Sequence, residues 1–129
     1  NRQPEAAAAY AEWLARTGQI AGSSRLQPGE SVVVALAAGR VYRFTFAAQA
    51  GQILNVSALA REGTDTDPLI VLLDPAGNPA AADDDGGGAF NALLAGYAVP
   101  ASGDYTLLVG HAGGSPDGPV RVRLEVVLR

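Results

Sequence analysis

From Ser31 to the end of the chain, apolar residues keep returning at every second position. This alternation constrains the fold more than any other feature. Successive side chains of a strand point to opposite faces, whereas a helix repeats every 3.6 residues. In "GPVRVRLEVVLR", Val120, Val122, Leu124, Val126 and Leu128 fall on one side and Arg121, Arg123 and Glu125 on the other. "VYRFTFA" sets Tyr42, Phe44 and Phe46 against Arg43 and Thr45, and "QILNVSALA" sets Leu54, Val56 and Ala58 against Asn55 and Ser57. "GDYTLLVGH" alternates Tyr105, Leu107 and Val109, and "SVVVALA" is a β-branched run closed by "AAG". "PLIVLLD" is apolar on both faces, which predicts a central strand covered on both sides. "AFNALLAGYAV" suits either a strand or a short helical turn. The stretch "DPAGN", Asp74 to Asn78, is turn chemistry: Pro75 presets φ and Gly77 is free to take a positive one.

The sum is about seven or eight short strands with turn signals at fairly regular spacing, the pattern of an all-β, antiparallel sandwich. The expected core is Tyr42, Phe44, Phe46, Leu54, Val56, Val71, Tyr105, Leu107, Val109, Val122 and Leu124. Ahead of the strands, "PEAAAAYAEWLARTG" predicts one short N-terminal helix, from Pro4 at a first helical position to Thr17, stopped by Gly18. Tyr10, Trp13, Leu14 and Thr17 share a face at helical spacing. "GQIAGSSRLQPGE" reads as a connector. The expected organisation is a helix and connector over residues 1–25 and one sandwich domain over residues 26–129.

Composition narrows the function classes. The chain has 129 residues, enough for one domain with a core that needs no staples. It has no cysteine, which excludes a disulfide framework and a thiolate metal site. Net charge is −4 and lysine is absent, so nothing resembles a nucleic-acid footprint. No stretch reaches the roughly 18 apolar residues of a membrane span. The chain contains no Met and opens without a charged-then-apolar leader, so it is expected to be a mature or excised piece.

Catalytic chemistry is poorly supplied. His111 is the single histidine, at the end of a predicted strand, and acid–base work needs a positioned partner. Neither a Gly-x-Ser-x-Gly nor a His-Glu-x-x-His motif occurs, and a phosphate loop lacks its lysine. The acidic clusters are more pointed. Asp65 and Asp67 precede the apolar strand, and Asp83, Asp84 and Asp85 follow its turn, next to Gly86, Gly87 and Gly88. If the chain folds back after "DPAGN", the two clusters meet at one end of the sheet. Such carboxylates repel one another unless a cation sits between them, and calcium takes six to eight oxygens from an adaptable loop. Calcium is the candidate cofactor, and solvated turn residues are the plainer reading. Tyr10, Trp13 and Leu14 of the helix either pack onto a sheet or form a docking surface for another chain. Asn55-Val56-Ser57 matches a glycosylation triplet but lies mid-strand.

Several pieces then line up in order: "AGQILNVSALA", "DPLIVLLDPAG" from Asp67 to Gly77, and "PASGDYTLLV" from Pro100 to Val109. Over about Leu26 to Leu128 the chain resembles the bacterial pre-peptidase C-terminal (PPC) domain family. The resemblance implies a jelly-roll-like β-sandwich and a non-catalytic module of exported or surface proteins. It also implies relatives that bind calcium and a matrix polymer. Val120 departs from the family pattern, where a tyrosine is common. Two functional readings follow. One is an extracytoplasmic accessory module that binds another protein domain or an extracellular polymer. The other is a structural subunit that assembles with copies of itself, or docks into a surface or membrane-associated complex, through its helix. A small hydrolase is the weakest reading.

Overall fold

A computed structural model of the chain describes residues 8–12, 14, 19–36, 40–60, 66–83, 92–111 and 118–128. Among these residues nine strands form two sheets: β1 (Gln19–Arg25), β2 (Ser31–Leu36), β3 (Arg40–Ala48), β4 (Ile53–Ala60), β5 (Pro68–Leu73), β6 (Pro79–Asp83), β7 (Ala92–Ala98), β8 (Gly103–His111) and β9 (Gly118–Leu128). The first sheet runs β1-β3-β8-β5-β6 and the second β2-β9-β4-β7. Every pairing is antiparallel except β1 on β3, which is parallel. The all-β sandwich expected from period 2 is therefore the fold.

Two segments differ from expectation or resolve it. "QIAGSSR", read as connector, is the edge strand β1, paired with β3 from Gln19↔Arg40 to Arg25↔Thr45. Its Gly and Ser content hid it, because an edge strand can be held by backbone pairing without a row of large side chains. The ambiguous "AFNALLAGYAV" contains β7, the opposite edge of the second sheet.

The core lies between the sheets. Phe44, Phe46, Ile70, Leu72, Tyr105, Leu107 and Val109 of the first sheet meet Leu54, Val56, Val120, Val122 and Leu124 of the second. Phe46 and Tyr105 are register partners, and their rings stack with centroids 6.1 Å apart. Each fully buried side chain of this size contributes roughly 1.5–3 kcal/mol of transfer free energy. One expected core residue lies at the margin and another in a second cluster. Tyr42 is only half-buried, and its hydroxyl donates to the Ala35 carbonyl at 2.7 Å, so its polar tip holds it at the margin. Val71 is buried, but on the far face of the first sheet.

That far face has its own small core. Leu69 and Val71 of β5 join Val41, Ala82 and Leu14, with Tyr10, Ala11, Leu73 and Leu108 packed against them. Residues 8–12 and 14 are helical, and Tyr10, Ala11 and Leu14 among them cover the outside of the first sheet. This explains "PLIVLL": Ile70 and Leu72 face the second sheet while Leu69 and Val71 face the helix.

The turn after β5 is closed by its own first residue. Asp74 Oδ1 accepts from the N–H groups of Ala76 (3.0 Å) and Asn78 (2.8 Å), and Gly77 sits at φ 90°. The turn leans on the start of β8, where a Cβ on Gly103 would lie 2.6 Å from Pro75 Cγ and 2.9 Å from its Cβ. A proline ring cannot swing aside. Gly103→Ala is therefore expected to cost about 1–3 kcal/mol, read as a lower urea midpoint with unchanged slope. An unchanged midpoint would show that the turn is not seated there.

Candidate functional site

The turn at Asp74–Asn78 folds the chain back as a hairpin, with Leu72 opposite Ala81, Val71 opposite Ala82 and Ile70 opposite Asp83. Asp83 thus stands close to the start of β5, where Asp67 precedes Pro68. On the other side of β5, Pro68 is the register partner of His111. One end of the first sheet therefore holds a member of each acidic cluster and the backbone of the single histidine. Asp65, Asp84 and Asp85 lie outside the described residues.

One of the placed side chains has structural work. Asp83 Oδ2 accepts from the Leu93 N–H at 2.8 Å, which ties β6 of one sheet to β7 of the other. Thr66 is fully buried, and its hydroxyl finds no hydrogen-bond partner among the described residues. Among the described residues no three His, Cys, Asp or Glu side chains gather at one place. Asp67 and Asp83 alone fall short of the six to eight oxygens that calcium takes.

The helix residues are engaged by their own chain. Leu14 is 3% exposed within the outer core, and Tyr10 packs against the same cluster. Trp13 lies outside the described residues. Elsewhere, the Tyr97 phenol is pushed above its ordinary value by burial, then by Tyr105 and Asp74. It stays protonated at neutral pH, the opposite of an activated nucleophile.

The second sheet turns a different face to solvent. Arg121, Arg123 and Glu125 project outward from β9, whose neighbours are β2 and β4. Val33 and Leu59 flank Arg121 in register, and Ser31 and Ser57 flank Arg123. Val33 is 57% and Leu59 40% exposed. The alternation "VRVRLEV" signals that these arginines point away from the core. It does not signal that the described helical residues pack on the other sheet.

The family model described as "Bacterial pre-peptidase C-terminal domain" matches residues 40–111. Comparison with curated proteins finds no match. Among solved structures, the chain is similar to the pre-peptidase C-terminal domain of collagenase from Bacillus anthracis, with TM-score 0.65 and 17% identity over 80% of this chain and 94% of that one. It is also similar to PliG of Aeromonas hydrophila, a periplasmic inhibitor of g-type lysozyme, with TM-score 0.64 and 18% identity over 82% and 96%. A third is CorA of Methylomicrobium album BG8, a surface-associated copper-binding protein, with TM-score 0.57 and 11% identity over 84% and 98%. At these identities the likeness is one of fold.

Proposed function

The chain belongs to the bacterial pre-peptidase C-terminal domain family, and on that premise we propose that it is a non-catalytic, extracytoplasmic module that acts by binding protein. The match over residues 40–111, from β3 through β8, carries the reading. It is supported by the similar folds, which belong to a collagenase domain, a periplasmic inhibitor and a surface-associated protein. Fractionation of the producing cell with an antibody to this chain is expected to find it outside the cytoplasm; a signal confined to the cytoplasm would overturn the proposal.

The same reading assigns His111 no chemical role. The purified chain is expected to show no turnover of casein, aryl esters or aryl glycosides. His111→Ala is expected to leave stability and any binding almost unchanged, read as a urea midpoint equal to the parent's. A hydrolytic activity that disappears in His111→Ala would sink it.

A second reading concerns the acidic end, and the β5–β6 hairpin favours it by bringing Asp67 and Asp83 to one end of the sheet. Calcium, held by some of Asp65, Asp67, Asp83, Asp84 and Asp85, stabilises the fold. Binding to the folded state alone would add about 2.7 kcal/mol when free calcium is a hundredfold above its dissociation constant. The melting midpoint is expected to rise between chelator and millimolar calcium, and to rise less with magnesium, which demands a tighter octahedron. The rise should vanish when Asp83, Asp84 and Asp85 become Asn. Equal midpoints in chelator and calcium would leave the clusters as solvated turns.

A further inference from the structure

The four strands at the sheet edges are not equally guarded. An edge strand leaves alternate N–H and C=O groups unpaired, and native proteins blunt such edges with charges, prolines and bulges. β1 has a register shift between Ile20 and Gly22, and its Arg25 is paired with Asp104 at 3.0 Å. β6 opens on Pro79, has a shift at Leu72/Leu73 and ends on Asp83. β7 is bulged opposite Leu54/Val56, where Asn55 Oδ1 accepts from the Gly96 N–H. β2 has none of these. "SVVVAL" holds no charge, proline or glycine, and it pairs with β9 in unbroken register from Ser31↔Arg123 to Leu36↔Gly118. Its one cap among the described residues is the Tyr42 hydroxyl on the Ala35 carbonyl, which leaves Ser31 to Val34 open.

We propose that the edge of β2 accepts an extended, acidic segment of another protein as a fifth strand of the second sheet. This rests on the protein-binding reading above and names its partner chemistry. Backbone pairing supplies the adhesion and side chains on one face supply the choice, as in other strand-addition sites. The choice comes from β9. Arg121 and Arg123 are exposed and make no hydrogen bond or ion pair among the described residues, on a chain of net charge −4. A strand added to β2 lies two strand spacings from them, about 10 Å. Ser31 stands between that strand and Arg123, and its short side chain lets a glutamate reach across. Exposed Val33 offers the added strand an apolar neighbour.

Other occupants suit the surface less well. The described outward side chains of this face include no aromatic platform for a sugar ring. An anionic membrane gains about 1 kcal/mol per basic residue, and two arginines are too few to hold a chain of net charge −4 on one. A second copy would bring its own arginines to the same face, and six small residues are a poor basis for the roughly 1,200 Å² of a stable association.

The probe is a blocked six-residue peptide alternating glutamate and valine, titrated into the ¹⁵N-labelled chain and followed by amide NMR shifts. Shifts are expected at Ser31–Val34, saturable, and about tenfold weaker affinity for the lysine–valine counterpart, as two exposed ion pairs imply. Val33→Pro is expected to abolish binding, and Val33→Ala, which keeps the N–H, to retain it. Arg121→Glu with Arg123→Glu is expected to reverse the charge preference. Binding that survives Val33→Pro, shifts confined to another surface, no shifts at all, uptake by anionic vesicles instead of peptide, or self-association without peptide would each overturn the proposal. An exported, inert chain that ignores the peptide would remove this inference alone; a cytoplasmic or hydrolytic chain would remove the reading beneath it.

Discussion

Phe46→Ala is expected to lower the unfolding free energy by about 3–5 kcal/mol, the cost of emptying an aromatic site in a closed core. The ring is fully buried, stacks on Tyr105 and lies where β3 and β8 meet the second sheet. Domains of this kind hold about 5–15 kcal/mol in total, so one substitution would remove a large share. Tyr105 adds to the cost, because its hydroxyl donates to the Ala101 carbonyl at 2.7 Å and holds the ring from closing the gap. Urea unfolding of the variant beside Val33→Ala is the measurement. Val33 is exposed, so its truncation should change little. A loss below about 1 kcal/mol for Phe46→Ala would show that the space between the sheets is not close-packed.

Leu69→Ala is expected to cost about 2–5 kcal/mol, although Leu69 faces away from the second sheet. Its side chain is fully buried in the cluster that Leu14 seals. Leu14→Ala should therefore cost a similar amount, and the double variant less than the sum. A coupling of about 0.5–3 kcal/mol is the mark of residues that share a core. Strict additivity would mean that Leu14 and Leu69 are sealed by different groups. A loss below about 1 kcal/mol for Leu69→Ala would mean that the outer face is wet.

Much of the sandwich was legible because burial of one sheet face writes a period of 2 into the chain. Phe44, Phe46, Leu54, Val56, Leu107, Val122 and Leu124 are buried where the alternation put them. β1 was not legible, because backbone pairing at an edge asks little of side chains. Tyr42 was misjudged because a phenol that can reach a carbonyl stops at the margin. The acidic clusters were visible as composition, and the turn between them as "DPAGN". The bond from Asp83 to the Leu93 backbone was not, since it joins two sheets that no local pattern relates.

The amino-acid sequence by itself determined the fold class, the faces of the long strands, the turn at Asp74–Asn78 and the family. Each of these depends on residues close together in the chain, where period, turn chemistry and motif spacing are physical constraints. Only the tertiary structure decided which face of "PLIVLL" meets the second sheet and which meets the helix, and that Leu14 is spent on its own chain. It also left the face of Arg121 and Arg123 uncovered and made β2 an unguarded edge. These are outcomes of strand order and helix placement. Strand order is chosen by long-range pairing, and a strand's own side chains do not record whether a neighbour will arrive on its open side.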